Sequence, residues 1–97
     1  MADLQTRFPA LAGFLGAYFP DAALEGRRTD EEIVAFFVSV TLAEDLQATR
    51  AQLDEVLALP VLPTASLARL ANRRLDSESA AREWLAKLRI LLGERAK

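Results

Sequence analysis

One stretch, residues 7–40, constrains the fold more than any other part of the chain. It contains all five phenylalanines and the only tyrosine, so the large aromatic side chains of the core come mainly from two neighbouring segments. The second of these, 33–40, is apolar on nearly every side, and a helix of that kind belongs in the middle of a bundle. We therefore expect 33–40 to lie in a central helix, with other helices packed around it.

Helix caps support this interpretation. Thr29 with Glu32 has the spacing of a capping box, in which each side chain bonds the other residue's backbone N–H. Residues 33–40 are also rich in β-branched and aromatic side chains, so on propensity alone they could form a buried strand. The capping box, and the absence of a strand to pair with, favour a helix. Thr41 with Glu44 has the same spacing and predicts the start of the next helix.

Prolines and glycines complete the division of the chain. Pro9 suits a first helical position, and Pro20 is expected to end that helix, with a loop over 19–28. Gly93 is expected to stop the last helix. The predicted helices span 9–18, 30–40, 42–59, 65–73 and 79–92. The sequence thus predicts an all-α fold, a compact bundle of about five helices in a single domain over 1–97.

The expected core follows from helical spacing. Gly13 and Gly16 indicate close contact with another helix, because no strand or phosphate-loop lysine accompanies them. The inner stripe of the third predicted helix is Leu42, Leu46, Leu53, Val56 and Leu57. That of the last is Ala81, Trp84, Leu85, Leu88 and Leu92. The aromatic residues assigned to the core are Phe14, Tyr18, Phe36, Phe37 and Trp84.

Composition excludes several classes of function. The chain has 97 residues, of which 52% are hydrophobic and 27% charged, and it contains no cysteine and no histidine. Disulfides, thiol nucleophiles, the usual zinc sites and imidazole acid–base chemistry are therefore unavailable. We expect no enzyme, no cofactor and no metal. Without a long apolar run or a signal-peptide pattern, we also expect a cytoplasmic protein that does not bind a membrane.

Charge is distributed unevenly along the chain. Residues 1–60 hold ten acids and four bases, a net charge of −6, whereas 61–97 hold four acids and eight bases, a net charge of +4. Such asymmetry indicates either a surface suited to a partner of opposite charge or an ordinary solvated helix surface. The acids of 29–32 and 41–45 are explained more simply by helix capping than by metal binding. Residues 67–74 and the helix that follows resemble a helix-turn-helix DNA reader, but the acidic overall charge disfavours that role.

Several motifs, in order and spacing, resemble those of contact-dependent growth inhibition immunity proteins of the CdiI type. The N-terminal ones are Phe8-Pro9-x-Leu11 and Phe14-Leu15-Gly16-Ala17-Tyr18-Phe19. The helix start Thr29-Asp30-Glu31-Glu32, the segment 50–57 and Arg82-Glu83-Trp84-Leu85 complete the match. The sequence departs from the family at 20–23, where Pro-Asp-Ala-Ala replaces a frequent His-Gln-Asp-Trp. If that loop contacts the partner, the partner differs from those of typical members.

The resemblance implies a cytoplasmic protein that binds the toxic C-terminal domain of its cognate CdiA effector and contacts no nucleic acid, membrane or small-molecule substrate directly. Such toxins are frequently nucleases with basic clefts, which an acidic surface suits. The expected partner-binding residues are Asp21, Glu25, Asp30, Glu31, Glu44 and Asp45. A small helical adaptor or homodimer, and a DNA-binding regulator using 69–89, remain as alternatives.

Overall fold

The computed structural model describes the backbone of residues 4–25 and 29–95 and the side chains of 4–19 and 29–93. Every regular element in these ranges is a helix. The helices are α1 (Leu4–Arg7), α2 (Pro9–Glu25), α3 (Asp30–Val40), α4 (Ala43–Leu57), α5 (Thr64–Ala71) and α6 (Glu78–Arg95). The prediction of a compact all-α bundle is confirmed, and α1 is a short addition to the five predicted helices.

α2 continues seven residues beyond its predicted end, because Pro20 does not stop it. Proline removes one helical hydrogen bond, here to the carbonyl of Gly16, and disfavours a helical conformation at the preceding residue. That residue, Phe19, is nevertheless buried, and its ring lies against those of Phe14 and Trp84. Burial of a large aromatic side chain stabilises the helix by about 1.5–3 kcal/mol, which offsets much of the cost of the proline. The predicted loop over 19–25 is therefore wrong, and 26–28 lie outside the described residues.

The centre of the bundle is α2, and the prediction of a central α3 is wrong. α2 contacts α1, α3, α4 and α5, whereas α3 contacts mainly α2 and α6. The buried face of α3 carries Ile33, Val34 and Phe37. Its opposite face leaves Phe36 46% exposed and Val40 56% exposed. The prediction that Phe36 belongs to the core is wrong, because two packed neighbours cover only part of this apolar helix.

The two predicted capping boxes have different outcomes. The first is confirmed, since Glu32 N–H donates to Thr29 Oγ1 and Thr29 N–H donates to Glu32 Oε1. The second is wrong, since the N-cap of α4 is Leu42 and no side chain caps this helix. Thr41 instead ends α3, one residue too early to cap α4. The predicted stop at Gly93 is also wrong, because α6 reaches Arg95. One glycine costs a helix only about 1 kcal/mol, which is too little to end it here.

The predicted inner stripes are largely confirmed. The stripe of α6 is buried throughout, as are Leu46, Leu53 and Val56 on α4, with Leu57 partly buried against them. Leu42 is the exception, with 68% of its surface exposed. Of the aromatic residues assigned to the core, Phe14, Phe37 and Trp84 are buried and Tyr18 packs against them partly buried.

The two glycines of α2 meet different surroundings. A Cβ at Gly16 would lie 3.0 Å from Leu70 Cδ1, so the predicted contact with another helix is confirmed there. A Cβ at Gly13 would have no atom within 4 Å. Gly16 therefore permits the close approach of α5, whereas the packing does not require glycine at position 13.

We expect Gly13→Ala to raise the free energy of unfolding by up to about 1 kcal/mol, through helix propensity alone. Gly16→Ala brings the same propensity but crowds Leu70, so its free energy of unfolding should lie below that of Gly13→Ala. Urea denaturation of the two variants and the wild type measures the difference. An equal gain for both variants would contradict the packing role of Gly16.

Candidate functional site

Asp30 lies at the centre of a charged cluster between α3 and the C-terminal half of the chain. Its side chain is only 9% exposed. Arg73 binds it in a bidentate manner, with Nη1 3.1 Å from Oδ2 and Nη2 2.9 Å from Oδ1. Trp84 Nε1–H donates to Oδ2 at 3.1 Å. A carboxylate removed from water needs such charged and hydrogen-bonding partners, and Asp30 has both.

Local structure around the cluster positions each partner. The Thr29 capping box places Asp30 in the first turn of α3. Asn72, the one non-glycine residue with positive φ in the described chain, ends α5 in the left-handed conformation that asparagine tolerates. The next N–H, that of Arg73, donates back to the Ala68 carbonyl at 2.9 Å. The Arg73 guanidinium then lies 4.7 Å from the ring centroid of Trp84, which adds a cation–π contact.

A second acid of α3 is bound by the same helix, α6. Lys87 Nζ lies 3.0 Å from Glu31 Oε1 and 3.7 Å from Asp30 Oδ2. The hydrogen bond to Glu31 holds the pKa of Lys87 above its ordinary value of 10.5, against an opposing effect of desolvation and with further support from the charges of Glu31 and Asp30. The first turn of α3 therefore has two of its three acids neutralised by bases of the C-terminal half.

Two further bases of α6 bind α4. Arg82 donates to the carbonyl of Leu57 at 2.7 Å and to that of Leu59 at 3.1 Å. These are carbonyls at the C-terminal end of α4, where the helix dipole favours a cation. Arg89 Nε lies 2.6 Å from Asp54 Oδ1. Several bases of the positively charged half of the sequence thus bind acids and carbonyls of the negatively charged half and hold the two halves together.

The acids predicted to bind a partner are not brought together at one place. Asp30 is held inside the chain, so its carboxylate does not belong to an open acidic surface. Glu31 is half exposed but paired with Lys87, whereas Glu44 and Asp45 are exposed and have no ion pair with a described residue. Between Glu31 and the end of α3 the chain rises about 13 Å, so the remaining acids lie at opposite ends of this helix. The side chains of Asp21 and Glu25 lie outside the described residues.

Exposed apolar side chains are the feature that reasoning from sequence missed. Phe36, Val40 and Leu42 are 46%, 56% and 68% exposed, next to Glu44 and Asp45 in the chain. A signal for this face was present, because Glu32 lies four residues before Phe36 and an acid at that spacing indicates a face in contact with water. We call these three exposed apolar residues the α3–α4 patch.

A groove also opens on the side of α2 that faces α1 and α5. It has a volume of about 740 Å³ and lies between α1, α2 and α5. Gly13, Gly16 and Ala17 form part of its floor, and Leu70 and Arg69 come from α5. The absence of a side chain at Gly13 contributes to the depth of the groove.

Other kinds of site have less support. Within the described ranges no three acidic side chains are grouped so that they could hold a metal ion. In the same part of the chain, no helix has the length and apolar character to cross a membrane. The cluster around Asp30 joins α3 to the C-terminal half of the chain, whereas the α3–α4 patch and the nearby Glu44 and Asp45 are exposed.

We expect Asp30→Asn to lower the free energy of unfolding by about 2 kcal/mol, because Arg73 loses its anion. This is less than the 3–5 kcal/mol for a fully buried pair, since the Arg73 side chain is 35% exposed. The matched control is Asp76→Asn, in a pair whose two side chains are 91% and 74% exposed. It should change stability by less than about 0.5 kcal/mol. Equal urea midpoints for the two variants would contradict the structural role of Asp30.

The raised pKa of Lys87 makes a prediction about alkaline stability. The folded chain holds this proton more tightly than the unfolded chain, so the stabilisation is complete below pH 10.5 and is lost as pH rises through the raised pKa. Wild type should therefore lose more stability than Lys87→Gln in that range, and other titrating groups cancel in the comparison. Urea denaturation at increasing pH measures the two slopes, and identical slopes would rule out the contribution of Lys87.

Comparison with known proteins identifies the family. A family model described as CdiI immunity protein matches residues 7–92. The match runs from the end of α1 to near the end of α6 and so includes the capping box, the Asp30 cluster and the α3–α4 patch. No curated protein and no solved structure matches the chain. On the evidence of the family match, the chain belongs to the CdiI immunity protein family.

Proposed function

We propose that this protein is a cytoplasmic immunity protein that binds and neutralises the toxic C-terminal domain of its cognate CdiA effector. The observation that carries the proposal is the family match over 7–92, which covers most of the helical bundle. Protection of this kind requires a stable complex and no chemistry. The absence of cysteine and histidine from the sequence is compatible with binding alone.

The chemistry of the surface favours a basic partner. Of the five acids in residues 29–49, Asp30 and Glu31 are paired with bases of the C-terminal half. The exposed Glu44 and Asp45 have no ion pair with a described residue. A nuclease toxin has a positively charged cleft for its substrate, so attraction between the two surfaces would speed their encounter. We propose Glu31, Glu44 and Asp45 as partner-binding acids, together with Asp21 and Glu25. An interface of standard size buries about 800 Å² on each partner.

Two alternatives predict different behaviour. A helix-turn-helix regulator needs bases that are available for phosphates. Here Arg73, Arg82, Lys87 and Arg89 all bind groups of this chain, which disfavours the DNA-binding role. A homodimeric adaptor would bury its exposed apolar residues against a second copy, and a concentration-dependent molar mass would reveal it.

The first test is co-expression with the C-terminal toxin domain of the cognate CdiA effector. We expect the toxin domain alone to stop growth, and this protein to restore growth and co-purify with the toxin as a stable complex. A non-cognate immunity protein is the control. Killing despite full expression of this protein, with no complex recovered, would overturn the proposal. Binding of duplex DNA with steep salt dependence would support the regulator instead.

A further inference from the structure

The α3–α4 patch is unusual because its three large apolar residues are exposed close together. Single exposed apolar residues are normal on protein surfaces, and Val61 and Ile90, at 70% and 60% exposed, are of that kind. Phe36, Val40 and Leu42, in contrast, lie within seven positions of one another in the chain. A contiguous apolar patch with polar surroundings marks an interaction site.

Backbone geometry places the three residues close together. Phe36 and Val40 are four residues apart in α3, which puts them on the same face of the helix. Thr41 then adopts an extended conformation, with φ −113° and ψ 139°. Only Thr41 separates Val40 from Leu42, so the Cα atoms of these two exposed residues lie within about 7 Å of each other. The patch therefore continues from the last turn of α3 into the start of α4.

Packing within the bundle leaves Val40 and Leu42 largely exposed. α3 packs through Ile33, Val34 and Phe37 on its other face. Phe36 contacts the ring of Tyr18 at a centroid distance of 5.9 Å and keeps almost half of its surface exposed.

Leu42 is the clearest case. It occupies the N-cap of α4, where serine, threonine, aspartate or asparagine would stabilise the helix. Its side chain makes no capping bond and is 68% exposed, so it does not cap α4 and leaves most of its apolar surface in water.

Charge around the patch indicates what covers it. Glu32 lies one helical turn before Phe36, and Glu44 and Asp45 follow Leu42 in the first turn of α4. A second copy of this chain, packed symmetrically, would bring these acids against each other, which is unfavourable. A partner with an apolar centre and a basic rim is complementary in both respects.

We propose that the α3–α4 patch is the apolar centre of the surface that binds the cognate toxin domain, and that Glu32, Glu44 and Asp45 form its acidic rim. This rests on the proposed function and deepens it by naming the residues that hold the complex together. In protein interfaces a few buried apolar anchors carry most of the affinity, while charges at the rim mainly set the association rate. Val40 and Leu42 are the anchors, and Glu44 and Asp45 guide the encounter.

The test measures the affinity of purified variants for a catalytically inactivated cognate toxin domain. Val40→Arg should weaken binding by about tenfold or more, because it places a cation against a basic partner. Val61→Arg is the matched control, with the same substitution at a more exposed valine, and should keep the wild-type affinity. Circular dichroism and the urea midpoint check that both variants fold.

Leu42→Ser separates binding from folding. Serine at the N-cap of α4 should raise the urea midpoint while the affinity for the toxin domain falls about tenfold. A purely structural role for Leu42 would move stability and affinity in the same direction.

At the rim, Glu44→Gln should slow association with the toxin domain at low salt by about twofold or more, because it removes one negative charge that attracts a basic partner. Glu55→Gln, on the same helix, is the control.

Each outcome discriminates between the proposals. If wild type binds the toxin domain and Val40→Arg and Leu42→Ser bind equally well, the patch is not the interface, although the immunity function stands. If wild type does not bind, the immunity function and the patch proposal fail together. If wild type is a dimer in sedimentation and Val40→Arg is a monomer, the patch is a self-association surface, which also overturns the inference.

Discussion

The buried carboxylate of Asp30 is the interaction on which the arrangement of the helices depends. It joins the start of α3 to the α5–α6 connection through Arg73 and to α6 through Trp84. A carboxylate that is 9% exposed is tolerated only with its charge balanced and its oxygens bonded. These requirements hold Arg73 over the Trp84 ring and fix which face of α3 turns inward. The opposite face, with Phe36 and Val40, is consequently directed away from the bundle.

Internal pairing also determines which charges remain for a partner. The bases Arg73, Lys87 and Arg89 bind acids of α3 and α4, and Arg82 binds carbonyls at the end of α4. These four of the eight bases in 61–97 therefore bind groups in the other half of the folded chain. Glu44 and Asp45, at the start of α4, stay exposed and have no ion pair with a described residue, so unpaired negative charge lies next to Leu42. Exposed acids and exposed apolar side chains thus lie together at the junction of α3 and α4, where we place the proposed interface.

Local signals explain which parts of the fold were predictable. The Thr29 capping box and the inner stripe of α6 follow from short-range spacing, and both are as predicted. The error at Pro20 arises because burial of Phe19 offsets the local cost of the proline. The error at Gly93 arises because one glycine costs a helix only about 1 kcal/mol. An all-apolar α3 predicts burial but cannot show how many neighbours cover it. The pairing of Asp30 with Arg73, 43 residues apart, has no local signature at all.

Leu42 connects stability with function most directly. An N-cap position has a strong chemical preference for a side-chain acceptor, and the adjacent Thr41 shows that a suitable residue lies only one position away. If folding alone governed this junction, a shift of one residue would cap α4 and remove an exposed leucine. The structure instead has an uncapped helix and a large apolar side chain in water. Both features disfavour the isolated protein, and in the proposed complex the burial of the leucine by the toxin domain would offset them.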